Sequence, residues 1–460
     1  MRVVAVGLSV VFIASLAWAQ DQAQEKTVTI AGETYTVVSD EQFRALGFDV
    51  PDVKPEENAA YDYIEAINGY VAPNAEQEDL RDRVSQGTWT EEAGPLADYI
   101  ERNEDTLERI RAAATKDVCH FPVVVPLGSS IEEASPAGIL LPHLASMREF
   151  ARFLVAEGKA YEFEGRYKEA LDTYLLALRL GSHVAQDPIL INGLVGIACS
   201  QIGTRAIEQC LVRNEVDDDV LLNAQKRLAK LAEGRPSVIV AMGGERAWST
   251  SIIEYMIEHP GDGFELIDPD DAQSKATDVA REAWQGALVA MLGSEEGQAQ
   301  IRADMKTFWA AVDSAMAMPL RVFIETGAGD EPVEKAKARK APPNIVVILG
   351  AAFSRARVQY AGNDVSWTVL DVEFALARYA AEHDQYPASL DEVKDFMLSD
   401  GVDPFSSERL KYRLEDDGAF TIWSVGQNLT DDGGRIPERH HLNCDDDDYV
   451  WNSAVIHGEE

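Results

Sequence analysis

The stretch LVAEGKAYEFEGRYKEALDTYLLALRL (Leu154–Leu180) decides how this chain is read. Apolar and aromatic residues recur at three- and four-residue intervals on both sides of Gly165, the spacing of two amphipathic helices joined by a turn. Gly158 and Ala170 are small enough to let antiparallel helices approach closely, and Tyr167, Tyr174 and Ala177 fill the space between them. Helical periodicity of this kind runs, with interruptions, from about Ala59 to about Glu325. It is broken by Pro122, Pro126, Pro136 and Pro142 and again by Gly261–Asp271, and it defines a helical domain over 55–325.

Working outward, Thr27–Val38 alternates with period two around Gly32-Glu33, which predicts a small β-hairpin. Pro51, Pro55 and intervening acids mark a linker, so 20–54 reads as hairpin plus linker. Before it, Met1-Arg2, the apolar run Val3–Leu16 and Ala17-Trp18-Ala19 fit a secretory signal peptide over 1–19. The run is shorter than the roughly 20 residues that span a bilayer. No other segment reads as long enough, so no stable membrane insertion is expected after cleavage. The expected location is periplasmic or extracellular. At the other end of the helical domain, 326–344 holds Gly327, Gly329, Pro332 and Pro342-Pro343, an expected exposed linker before a separate unit over 345–460.

Composition excludes some partners. The 460 residues carry 79 Asp+Glu against 41 Lys+Arg, a formal net charge of −38. Nucleic-acid binding needs clustered Lys and Arg to displace counterions, and docking on anionic lipid needs the same sign. Neither partner is expected. Four cysteines are present, and export permits disulfides. Cys199 and Cys210 lie eleven residues apart, about 16 Å along an unbroken helix. That exceeds the roughly 7 Å reach of a disulfide, so a bridge from Cys119 to one of them and buried free thiols remain the two alternatives.

Residues 154–180 resemble a single tetratricopeptide repeat, at Gly158, Ala160, Tyr161, Gly165, Tyr167, Ala170, Leu171, Tyr174, Ala177, Leu178 and Leu180. Glu157 stands where that family has an apolar residue, and Ser182 where it has a terminal proline. The resemblance implies a concave groove for a peptide or partner helix. With no second copy in tandem, a plain helical hairpin inside a larger α domain is the other reading, and the favoured one.

The carboxy-terminal unit offers more. A helical pattern through Val369, Val372, Leu376 and Tyr379 runs into His383-Asp384-Gln385-Tyr386-Pro387. There follow Asp403-Pro404-Phe405, Leu410–Arg413, Phe420–Gly426 with Ser424, Asp431–Gly434, and Asp447 four residues before Trp451. That order resembles the soluble domain of the type II secretion major pseudopilin over roughly 361–451. The resemblance implies a small α+β fold with a calcium-binding loop after the strand that ends in Ser424. Carried over position by position, Ser424, Asp431 or Asp432, and Asp447 are the candidate ligands. Calcium takes six to eight oxygens, which carboxylates, hydroxyls and the carbonyls of a Gly-Gly loop supply. A solvated acidic loop is the alternative. Pseudopilins open with a basic leader and a long assembly helix, whereas here the unit lies behind a helical domain, so polymerisation is not expected.

No HExxH helix, Walker loop, GxGxxG turn or GxSxG elbow occurs. His440, His441 and Cys444 with nearby aspartates are a weak transition-metal pattern. His143 and His183 read as capping or core residues, and Trp248, Trp284 and Trp309 as core anchors, with glycan stacking as the alternative. The expected protein is multidomain, with a mainly α-helical, TPR-like domain followed by a small α+β pseudopilin-like domain. Its expected function is that of an exported, non-catalytic scaffold engaging a protein partner, stabilised by calcium. The alternative is a hydrolase of envelope polymers with its site in the helical domain. A buried carboxylate pair facing a deep cleft would favour the hydrolase.

Overall fold

A computed structural model describes residues 26–85, 94–131, 136–260, 286–338, 353–436 and 448–457. The expected signal peptide, Trp284, His440, His441, Cys444 and Asp447 lie outside these residues. The chain is mainly helical and carries two small three-stranded antiparallel sheets, β1-β2-β3 and β4-β5-β6.

In the first sheet, β1 (Thr27–Ile30) pairs with β2 (Glu33–Val37), and Ile30 lies opposite Glu33. Ala31 and Gly32 therefore form the two-residue turn, both with positive φ (53° and 83°), the geometry that matches strand twist in tight hairpins. The turn sits one residue earlier than the alternation indicates. β3 (Val124–Pro126), inside the proline-rich passage, adds to β2 from far along the chain. Between hairpin and helical domain, α1 (Asp40–Ala45) is started by a Ser39–Gln42 capping box within the stretch read as linker.

The helical body consists of α2 (Ala59–Gly69), α3 (Ala75–Ser85), α4 (Gly94–Arg102), α5 (Glu104–Ala114), α6 (His143–Phe163), α7 (Tyr167–Val184), α8 (Leu190–Arg213), α9 (Asp218–Glu233), α10 (Val238–Glu258) and α11 (Glu295–Met316). α6 and α7 form the hairpin that Leu154–Leu180 predicts, turning at Gly165 (φ 72°). A Cβ on Gly158 would stand 2.2 Å from the Tyr174 ring, so only glycine admits this approach. Glu157 is buried and paired with Arg111 of α5, which explains an acid at a customarily apolar position. α8 crosses α7 just as closely, because a Cβ on Gly181, Gly196 or Gly203 would meet the opposing helix within 2.5 Å.

By length and composition α8 could cross a membrane, a property the sequence reading missed. Here it is a core helix, packed on α6 and α7. Its Cys199 and Cys210, like Cys119, are buried free thiols, the second of the two alternatives that the sequence leaves open. Trp309 is buried, and Trp248 is half-buried with its indole N–H donated to the Pro136 carbonyl.

Within the described part of the passage read as an exposed linker, the chain is mostly helical. α12 (Leu320–Thr326) ends at left-handed Gly327, and α13 (Glu331–Ala338) follows, with Ala328 and Val333 buried. Then comes α14 (Phe353–His383), the longest helix described. One face of α14 packs Val365, Val369, Val372 and Leu376 on the second sheet, made of β4 (Lys411–Leu414), β5 (Phe420–Ser424) and β6 (Tyr449–Asn452). Its other face packs Trp367, Leu370 and Phe374 among residues of α7, α8 and α9. Polar ties reinforce this sharing. Gln225 donates to Asp371 at 2.7 Å and Arg378 to Asp218 at 2.6 Å. The α+β unit is thus built onto the helical body through a common helix.

Candidate functional site

The expected calcium ligands separate into two groups. Ser424, fully buried at the end of β5, donates its hydroxyl to Asp403 Oδ1 at 2.8 Å and accepts the Gly426 N–H at 3.1 Å. Asp403 also accepts from Phe405 N–H, Ser406 Oγ and Val425 N–H. Ser424 is therefore engaged in locking the Asp403-Pro404-Phe405 turn to the strand end. The turn is visible in the sequence, but the role of Asp403 as acceptor for Ser424 is not.

Asp431 and Asp432 lie on the loop beyond. Asp431 Oδ1 accepts the Trp423 indole N–H at 2.9 Å and the Gly433 N–H at 3.0 Å. Asp432 Oδ2 accepts from Asn428 Nδ2 at 3.0 Å. Gly433 and Gly434 have φ of 82° and 62°, and a Cβ on Gly434 would collide with the Trp423 ring at 2.7 Å. Both glycines are thus required by backbone shape and close packing. Asp447 is outside the described residues, but its neighbour Asp448 is 2% exposed and accepts the Gly434 N–H at 2.8 Å through Oδ2. Its Oδ1 is buried with no hydrogen-bond partner among the described residues. Burial, reinforced by the charges of Asp431 and Asp432, raises the Asp448 pKa against the hydrogen bonds from Gly434 and Asp432. Among the described residues, no group of three or more His, Cys, Asp or Glu side chains is arranged to hold a metal ion.

A second constellation lies between the proline-rich passage and the start of α8. His120 Nδ1–H donates to Asp187 Oδ1 at 2.6 Å, the carboxylate fixing the tautomer. Asp187 Oδ2 accepts the Phe121 N–H and the Asn192 side-chain amide, each at 3.3 Å. Asn58 clamps the His120 backbone, accepting its N–H at 2.9 Å and donating to its carbonyl at 2.7 Å. His143 stacks on Phe121 at 3.8 Å. Three atoms here are buried with no hydrogen-bond partner among the described residues: His120 Nε2, His143 Nε2 and Asn192 Oδ1. All three residues line one partly open pocket of about 290 Å³, open solvent included, whose other walls include Phe43, Phe121 and Ile189. Burial lowers the His143 pKa to about 4. For His120, burial opposes the charged form, but Asp187 more than offsets it and the pKa is raised. No spacing signals this group, because its members come from four separate segments.

A third feature is a buried carboxyl pair between α8 and α14. Glu208 accepts the Trp451 indole N–H at 3.1 Å, while both oxygens of Glu373 are buried without partners. Burial pushes Glu208 up to about 7 and, with the Glu208 charge adding to it, holds Glu373 well above the usual carboxyl range. The chain matches no protein-family model, no curated protein and no solved structure.

Proposed function

We propose that this chain is an exported, non-catalytic scaffold that engages another protein, with calcium clamping its carboxy-terminal loop. The observation that carries the reading is Asp448, whose buried Oδ1 has no hydrogen-bond partner among the described residues and lies beside the Asp431-Asp432 loop. A divalent cation drawing on Asp431, Asp432, Asp448 and loop carbonyls would supply that partner and relieve the repulsion among the acids. The pseudopilin-like motif order over 361–451 supports the same assignment. Calcium here would be structural, pinning a loop with few apolar contacts of its own.

Support for a protein partner comes from α10. Its first turn leaves Ile239 and Val240 54% and 41% exposed, while Ala241 and Met242 turn into the core. Adjacent exposed β-branched residues on an ordered helix suit a contact surface. The TPR-like pair supports a scaffold in the same way. Glu208 and Glu373 do make a buried carboxyl pair, but they sit enclosed among α8, α14 and β6. A packing role accounts for them better than hydrolysis does.

The test is site-specific photocrosslinking in the exporting cell. A crosslinker at Ile239 should trap one partner reproducibly, and one at exposed Lys306 should not. Equal yields from both positions would count against the reading.

A further inference from the structure

The His120 pocket holds more unsatisfied chemistry than any other place described in the molecule. Its three partnerless atoms belong to side chains 7%, 2% and 0% exposed, for His120, His143 and Asn192. Burying polar atoms without partners is costly, and such groups normally meet water, a ligand or an ion. The set is selective in kind. Asp187 takes the Nδ1 proton of His120, so the neutral ring presents a bare Nε2 lone pair. Asp187 also orients the Asn192 amide through its nitrogen, leaving the amide oxygen for the pocket. His143, kept neutral by burial, adds a second imidazole.

Two imidazoles and an amide oxygen are donors that suit a borderline divalent transition ion such as Zn²⁺, and they differ from the all-oxygen shell that calcium prefers. The outer arrangement matches as well. A metal-bound histidine characteristically donates its other ring N–H to a carboxylate, which fixes the ring and increases its basicity. Here one carboxylate holds two of the three donor side chains, and Asn58 fixes the backbone of His120. Phe43, Phe121 and Ile189 give the pocket apolar walls, which weaken competition from bulk water.

We propose that His120 Nε2, His143 Nε2 and Asn192 Oδ1 bind a divalent transition-metal ion, with solvent completing its coordination and Asp187 positioning the ligands. Two imidazoles and one neutral amide leave the ion with its full positive charge, in a chain that is otherwise strongly acidic.

Cobalt(II) tests this directly, because a low-coordinate site with imidazole ligands gives an intense visible spectrum and carboxylate clusters give only a faint one. The mature chain is stripped with chelator, supplied with excess calcium to occupy acidic sites, and titrated with Co²⁺. One equivalent should produce the intense spectrum, and Zn²⁺ should displace it stoichiometrically. His120→Ala should abolish the spectrum, and Asp187→Asn should weaken binding about 10- to 100-fold. Thermal melts of each variant establish that it is folded. Only a faint spectrum with the unaltered chain would overturn the proposal whatever the variants do, leaving ordered water as the pocket's occupant. An intense spectrum that persists in folded His120→Ala would overturn it equally.

Discussion

Trp451, on the last strand, donates its indole N–H at 3.1 Å to Glu208 of α8, 243 residues earlier in the chain. That bond joins the carboxy-terminal sheet to the centre of the helical body, and Glu373 of α14 is buried with no hydrogen-bond partner in the same neighbourhood. The junction between the two parts of the molecule therefore holds buried titratable groups beside its apolar contacts.

Stability should fall as pH rises. Folding raises the pKa of both glutamates, so their contribution is intact below the ordinary carboxyl range. It is lost progressively as pH climbs through about 7 for Glu208 and higher for Glu373. For Glu208 alone a shift from 4.5 to about 7 corresponds to on the order of 3 kcal/mol at alkaline pH. Arg205 lowers this pKa and the Trp451 bond lowers it further, so Trp451→Phe should increase the loss. Glu373→Gln should flatten the fall in melting temperature between pH 6 and 9. An unchanged slope in Glu373→Gln would show that this pair does not govern it.

Gly158 should tolerate no side chain. Gly158→Ala places a Cβ where the Tyr174 ring stands and should cost about 1–3 kcal/mol by overpacking, read as a lower urea midpoint with an unchanged slope. Gly243, with nothing within 4 Å of an added Cβ, is the control and should accept alanine without loss.

Asp403 should matter more to folding than any loop aspartate. Asp403→Ala removes the acceptor of four hydrogen bonds and leaves Ser424 buried without its partner, which should cost about 2–4 kcal/mol. Asp403→Asn, keeping one acceptor oxygen, should cost less. Chemical denaturation of the two variants side by side provides the comparison.

Much of this architecture was legible from local pattern. Gly165 between two 3.6-period runs announces the α6–α7 hairpin, and the Tyr386-Pro387 turn marks the end of α14. Other elements were not, for reasons of distance. β3 is a three-residue strand in a proline-rich passage, held by pairing with β2 and by a bridge from Val124 to Leu140, which no local window reveals. The bond from Ser424 to Asp403 joins residues 21 apart across a turn, a pairing that no local spacing signals. Asp447 is the candidate that the motif order implies, four residues before Trp451, whereas nothing in the run Asp445–Asp448 signals that Asp448 is buried. The His120 pocket draws on residues 120, 143, 187 and 192, whose assembly depends on α6 and α8 meeting the proline-rich passage.

The most direct measurement is the thermal melt of the mature chain with calcium and with EGTA, repeated for Asp448→Asn. Calcium should raise the melting temperature of the unaltered chain, and Asp448→Asn should abolish most of that rise while remaining folded. Identical melts with calcium and with EGTA would contradict a cation-clamped carboxy-terminal loop.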